Sequence, residues 1–213
     1  MINKVAEIKA YLDRLPYFEI DNLKIFGAAP AYLRILLSRL ETRGAIVRMK
    51  RGVYAAKAYC DKMKSAGKWP VYLEFLASKI YSPAYLSLDY VLYAHNILTE
   101  APVNFTLISA GKTAFYKNAL GAFSYHKIKA PLFCGYAVSK EGEFPVYKAS
   151  KAKALFDFLY LRRDLLREKK AFLELRLNPG HLGEKDLAEF KKYMLLSKSK
   201  RMSGLYGLAA ENV

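Results

Sequence analysis

Cysteine is almost absent from this chain of 213 residues: only Cys60 and Cys134 occur, in unlike contexts and with no C-x-x-C pair. That excludes a disulfide framework and a cysteine-rich zinc site, and it fits a reducing, cytoplasmic setting. Long apolar runs are absent too. Even Ala130 to Val138 falls short of the ~20 residues that a membrane span needs. The opening MINKVAEIKAYLDRL places a charge every few positions, unlike a secretory leader. A soluble protein without membrane contact is expected. Histidine is sparse: His95, His126 and His181 are far apart and show neither HExxH nor a carboxylate at ligand spacing. The chain has no Walker-type loop, no GxSxG and no acidic pair of the kind that holds Mg²⁺. The expectation is a non-enzymatic protein with no catalytic residue, metal or cofactor.

Acid is the other scarcity. Against 35 Lys+Arg stand 19 Asp+Glu, a net charge of +16, which points to a phosphate-rich partner. What is plentiful is apolar: 53% hydrophobic and 14% aromatic residues can bury a core and lie far from the composition of a disordered chain. Fourteen of the cations and only six of the acids fall within residues 1–70, so positive charge is densest in the first third.

Along that third, Val5, Ile8, Leu12 and Leu15 recur at helical spacing and Pro16 stops the helix. A short second helix is predicted from Asp21, as N-cap, to Phe26. Gly27, Ala28 and Ala29 turn the chain, and Pro30 suits the first position of a third helix, striped by Leu33, Leu36, Leu37 and Leu40 and closed by Gly44. Ala45–Met49, a Lys50-Arg51-Gly52 turn and Val53–Ala55 read as a hairpin. The predicted fold class is therefore α+β: an N-terminal winged helix-turn-helix (1–56), then a larger mixed α/β domain with helices flanking a mainly antiparallel sheet. Residues 57–70, lysine-rich and ending in Gly67, Trp69 and Pro70, read as a linker, with Trp69 packing it onto one domain. The larger domain is expected over 71–197 and a basic extension, ordered only against a partner, over 198–213. Within 71–197, helices are predicted near Val71–Ile80 and from Ser82-Pro83 to about Leu98. Strands follow at 103–109, 114–116, 123–128, 132–138 and 145–147, then helical spacing returns around Leu155–Tyr160, at Leu165 and at Leu187–Met194.

On a helical wheel the leucine stripe of the third helix leaves Ala31, Arg34, Ile35, Ser38, Arg39 and Thr42 facing away from the core, with Tyr32 at the flank. Small residues for close approach, arginines for guanine edges or phosphates and an apolar group for thymine methyls are what a helix in a major groove needs. The same face also suits an ordinary solvated helix with Ile35 covered by a neighbouring domain. Arg43, Arg48, Lys50 and Arg51 fall within nine residues that hold no acid, and the last two sit at the hairpin tip, where cations reach phosphates or a minor groove. Hairpin turns are also charged for solubility alone. A second basic surface is a candidate between Glu100 and Glu141, a stretch without carboxylates that carries Lys112, Lys117, Lys127, Lys129 and Lys140. The alternative is a lysine-protected sheet edge. Tyr81, Tyr85, Tyr90 and Tyr93 follow helical spacing and read as core.

Three segments carry a family likeness. RGAIVRMKRGVYAA (43–56) has a basic turn followed by Gly-Val-Tyr. SPAYLSLDYVLYAHNILTEAP (Ser82–Pro102) runs into VNFTLIS. ASKAKALFDFLYL (Ala149–Leu161) is similar to an Ala-x-x-x-KAL-x-D-x-x-Y helix through Ala149, Lys153, Ala154, Leu155, Asp157 and Tyr160. In their order and spacing these resemble the AbiEi-type antitoxins of bacterial type IV (abortive-infection) toxin-antitoxin systems, over nearly the whole length. The resemblance implies an autorepressor whose N-terminal domain binds inverted repeats in double-stranded DNA at its own promoter; since palindromic operators mirror two-fold protein symmetry, a dimer on DNA is expected. It implies a C-terminal domain that counters a cognate nucleotidyltransferase-like toxin, with or without direct contact. Two other classes stay open on the residues alone: a protein-interaction module that binds the toxin directly with DNA contact secondary, and a nuclease or phosphotransfer enzyme using the acid-free sheet.

Overall fold

The structure is a computed structural model that describes residues 2–141 and 143–211. The fold is α+β, and the chain divides into two compact units. The first runs to Ile80 and includes Tyr116–Ala122; the second comprises Tyr81–Phe115 and the chain from Phe123 onward. Among the described residues one sheet has three strands and the other six.

The first unit starts with α1 (Ile2–Leu12), which buries Ile8 and Leu12. After Pro16 the chain extends as β1 (Phe18–Glu19) and turns into a 3-10 helix, Ile20–Phe26. The N-cap there is Glu19 and not Asp21. Its backbone N–H donates to Asn22 Oδ1 at 2.7 Å, one arm of a reciprocal capping box that sets the N-cap two residues earlier than the Asp-based expectation. Gly27 ends this helix in the left-handed region, φ 59°. Helix α2 (Pro30–Thr42) follows with Pro30 at its first turn, where a missing N–H costs nothing. Its leucines 33, 36, 37 and 40 are buried against Ile8, Leu12, Phe18, Leu23 and Ile46, each contributing about 2 kcal/mol from apolar burial. Gly44, φ 68°, closes α2: its N–H bonds Glu41 O and the Ala45 N–H bonds Leu40 O, both at 2.9 Å, the paired return bonds of a Schellman stop.

Strands β2 (Ile46–Lys50) and β3 (Val53–Ala56) form the hairpin, and β1 adds to β3, giving the order β1-β3-β2. Helices α3 (Lys57–Ser65) and α4 (Trp69–Ile80) complete the unit. The segment expected as a linker is therefore mostly helix, and the boundary lies at Ile80 instead of residue 70. Three contacts explain this. The Tyr72 hydroxyl donates to Pro16 O at 2.5 Å, Phe75 meets Tyr17 edge-on at 5.8 Å, and Tyr59 packs on Tyr72 at 5.4 Å. Gly67, φ 67°, is a helix stop between α3 and α4. Trp69 lies beside Tyr72 with Lys64 Nζ 4.5 Å from its ring.

After Ile80 come β4 (Ala84–Leu86), α5 (Leu88–Ala94), β5 (Phe105–Ser109), β6 (Ala114–Asn118), β7 (Gly121–Lys127), β8 (Tyr136–Glu141), β9 (Phe144–Ala149), α6 (Lys151–Arg162), α7 (Lys169–Leu173), α8 (Glu184–Ser197) and α9 (Lys200–Ala210), with 3-10 turns at Ala130–Leu132 and Pro179–His181; all of these belong to the second unit except the end of β6 and the start of β7, within Tyr116–Ala122. The strand order is β6-β7-β5-β4-β9-β8. Pairs β4/β5 and β8/β9 are antiparallel, whereas β4/β9 and β5/β7 are parallel, so this sheet is mixed; with β1/β3 and β2/β3, the pairings among the described residues are mainly antiparallel.

Two expectations are corrected here. The long helix predicted from Ser82-Pro83 is instead β4, near the centre of the sheet, followed by the short α5. Ala84, Tyr85 and Leu86 are all buried, and a strand covered on both faces loses the alternation that would have marked it. The basic extension is not left for a partner to order: α9 buries Met202, Leu205 and Ala209, and Ser199 caps its start by accepting from Met202 N. Residues 212–213 of that extension lie outside the described ones. No helix among the described residues is long and apolar enough to cross a membrane.

Candidate nucleic-acid interface

The leucine stripe decides what α2 shows to water. With Leu33, Leu36, Leu37 and Leu40 inward, Ala31, Tyr32, Arg34, Ile35, Ser38 and Arg39 are all exposed, and Arg43 follows, exposed, at the C-cap. Ile35 keeps 53% of its surface in solvent, so no neighbouring element covers it. The 3-10 helix before α2 adds Ile25, 68% exposed. Sequence reasoning missed Ile25, because an isoleucine two residues after the buried Leu23 carries no mark of exposure.

The hairpin supplies the second group. Arg48 and Arg51 are exposed and Lys50 is half-buried. Arg48 stands opposite Tyr54 and Lys50 opposite Val53, with a bulge between them at Met49. A bulge sharpens the local twist and turns side chains off the regular ladder. Gly52, φ 86°, makes the tight return after Arg51. The other lysines of this unit with acidic neighbours are neutralised locally: Lys9 by Asp13, Lys24 by Asp21 and Lys57 by Asp61. Among the described residues none of Arg34, Arg39, Arg43, Arg48, Lys50 and Arg51 forms a salt bridge. A set of cations held on a rigid helix and a tight turn, with Glu41 as the single carboxylate of those two elements, attracts polyanions.

The four lysines of the candidate second basic surface are all exposed. Lys117 belongs to the first unit, whereas Lys112, Lys127 and Lys129 belong to the second. Lys112 lies in the turn before β6, Lys127 ends β7, and Lys129 caps the following 3-10 turn. The Lys140 side chain lies outside those described.

Within the second unit one polar cluster is internal. Lys153 and Asp157, both 0% exposed, pair along α6. Asp157 Oδ2 also accepts from Ser87 Oγ at 2.8 Å and from the Tyr85 hydroxyl at 3.0 Å. The ammonium lies over the rings of Phe156 (5.1 Å), Tyr193 (5.4 Å) and Tyr85 (5.6 Å). Burial pushes the Asp157 carboxyl up and the Lys153 ammonium down, each opposed by its partner. The sequence did carry a signal here: Lys153 and Asp157 are the polar residues of an otherwise apolar run, one helical turn apart. Nearby, Arg162 Nη2 donates to both Asp89 carboxylate oxygens, at 3.2 and 3.3 Å, with its guanidinium 3.7 Å from the Phe158 ring. Asp89 thus serves Arg162, not His95, which caps the end of α5. No group of three or more His, Cys, Asp or Glu among the described residues is placed to hold a metal ion.

No known family model and no curated protein matches the chain.

Proposed function

We propose that this chain is a non-enzymatic, DNA-binding transcriptional autorepressor and antitoxin of the AbiEi type, in which the first unit is a winged helix-turn-helix. Helix α2 enters the major groove, where Arg34, Ile35, Ser38 and Arg39 meet base edges. Tyr32, Arg43, Arg48, Lys50 and Arg51 hold the backbone. The observation that carries this reading is the outward arginine face of α2 beside a cationic hairpin, with none of those cations paired to an acid among the described residues. The net charge of +16 and the resemblance of the three sequence segments support it. The second unit then carries the antitoxin role against a nucleotidyltransferase-like toxin.

The test is a duplex-binding titration with the promoter-proximal region upstream of the reading frame, against random-sequence duplex. Arg39→Ala is expected to cost about 1–3 kcal/mol at one operator position only. Lys50→Ala is expected to weaken every sequence alike and to flatten the salt slope by about one unit. An Arg39→Ala protein that treats operator and random duplex as the parent does removes the recognition-helix assignment.

A further inference from the structure

The bulge at Met49 leaves a backbone group in need of a partner. Arg48 pairs with Tyr54 and Lys50 with Val53, so Met49 has no residue opposite it, and the extra residue of a bulge drops out of the ladder. Its carbonyl accepts a hydrogen bond from Asn118 Nδ2 at 3.0 Å. Asn118 lies in Tyr116–Ala122, the tip of the β6–β7 hairpin, which belongs to the first unit although it comes almost 40 residues after that unit's main segment ends. The same side chain shapes the tip, because Asn118 Oδ1 accepts from Leu120 N at 2.8 Å. One amide thus closes a turn and clamps it to the basic hairpin.

The neighbour of that clamp is Lys117. It is exposed, and among the described residues it forms no salt bridge. No carboxylate occurs anywhere between Ala101 and Lys140. With consecutive Cα atoms ~3.8 Å apart, a residue next to the Asn118–Met49 bond lies on the order of 10 Å from Arg48 and Lys50 in its backbone, within the stretch of backbone that a few successive phosphates of one strand cover. The geometry points to a composite cationic edge: Lys117 contacts the phosphate backbone of bound duplex DNA together with Arg48, Lys50 and Arg51, and Asn118 is the positioning residue that holds it there. This rests on the nucleic-acid reading of the first unit and moves Lys117 out of any second basic surface.

The experiment measures affinity of the full chain for a labelled random-sequence duplex over a salt series. Lys117→Gln is expected to lower the slope of log affinity against log salt by about 0.9, and Lys117→Arg to restore it. Asn118→Leu is expected to lower the slope similarly, and the Lys117→Gln/Asn118→Leu double variant no further than either single one. Lys112→Gln, which removes the same charge from the second unit, should leave the slope unchanged. If Arg51→Gln flattens the slope and Lys117→Gln does not, or if Lys112→Gln flattens it equally, the composite edge is overturned while the nucleic-acid reading stands. If the parent shows no salt-dependent duplex binding, both fall together.

Discussion

Each buried charge and each half-buried imidazole in the second unit has a consequence that can be measured. Lys153 sits at 0% exposure with Asp157 as its ion-pair partner, so Lys153→Met strands a carboxylate that Ser87 and Tyr85 solvate only in part. That variant should lose about 3–5 kcal/mol in urea unfolding, and Lys153→Met/Asp157→Leu should recover much of the loss, because removing one member of a buried pair costs more than removing both. Equal losses in the single and double variants would show that packing, not the stranded charge, sets the cost. His126 responds to acid. Burial first, then the Arg162 guanidinium, hold its imidazole below the ordinary 6.5, against the pull of Asp89. The unfolded chain takes up the proton near 6.5 and the folded chain only at lower pH. The stability linked to His126 is therefore complete above 6.5 and is lost as pH falls below it. Unfolding midpoints should drop from about pH 7.5 to about pH 5.5, and His126→Gln should drop less over that interval. His95 is shifted the same way, by burial and then by Lys151 and Lys148, so the variant should not abolish the slope.

The elements that present the cationic face depend on how their ends are made. Helix α2 stops at Gly44 in a left-handed conformation that a side chain adopts only with strain, although nothing lies within 4 Å of where a Cβ would go. Gly44→Ala should therefore cost about 1 kcal/mol through backbone strain alone, without disturbing the leucine stripe; an unchanged unfolding midpoint would refute the strain argument. Leu37→Ala should cost about 2–5 kcal/mol through the cavity it leaves and should weaken duplex binding only as far as α2 itself is lost. At the other end of the chain, α9 sets Met202, Leu205 and Ala209 into the core, and Phe190 of α8 meets Tyr206 edge-on at 5.6 Å. Truncation after Ser197 should lower the thermal midpoint of the second unit and expose apolar surface to a hydrophobic dye. A truncated protein as stable as the parent would mean that α9 is only loosely attached.

At the scale of the whole molecule, charge and topology act on different parts of the chain. The excess of +16 favours association with any polyanion, but it acts at particular places only where the fold keeps cations away from acids. In the first unit that sorting is visible: Lys9, Lys24 and Lys57 pair with acids three or four residues away, whereas among the described residues the arginines of α2 and the hairpin form no salt bridge. Much of this was legible beforehand. The spacing of four leucines, Pro30 ahead of them, Gly44 after them and Gly52 in the turn determine a helix and a hairpin by local rules of chain geometry, and they foretell which side of α2 faces water. The α+β class followed from the same patterns.

Other features depended on contacts that no local pattern encodes. Residues 57–80 belong to the first unit because Tyr72 and Phe75 reach Pro16 and Tyr17, more than fifty residues earlier. Ala84–Leu86 is a strand because β5 and β9 flank it, while its own spacing reads as helix. Asn118 meets Met49 because a bulge elsewhere in the sequence leaves a carbonyl that its amide can serve. The sequence by itself determined the α2 face and its charge, since burial of one stripe of a helix settles the exposure of the opposite one. Only the tertiary structure decided where the units divide and which distant segment is bonded to the basic hairpin, because those follow from hydrogen bonds and ring contacts between segments far apart along the chain.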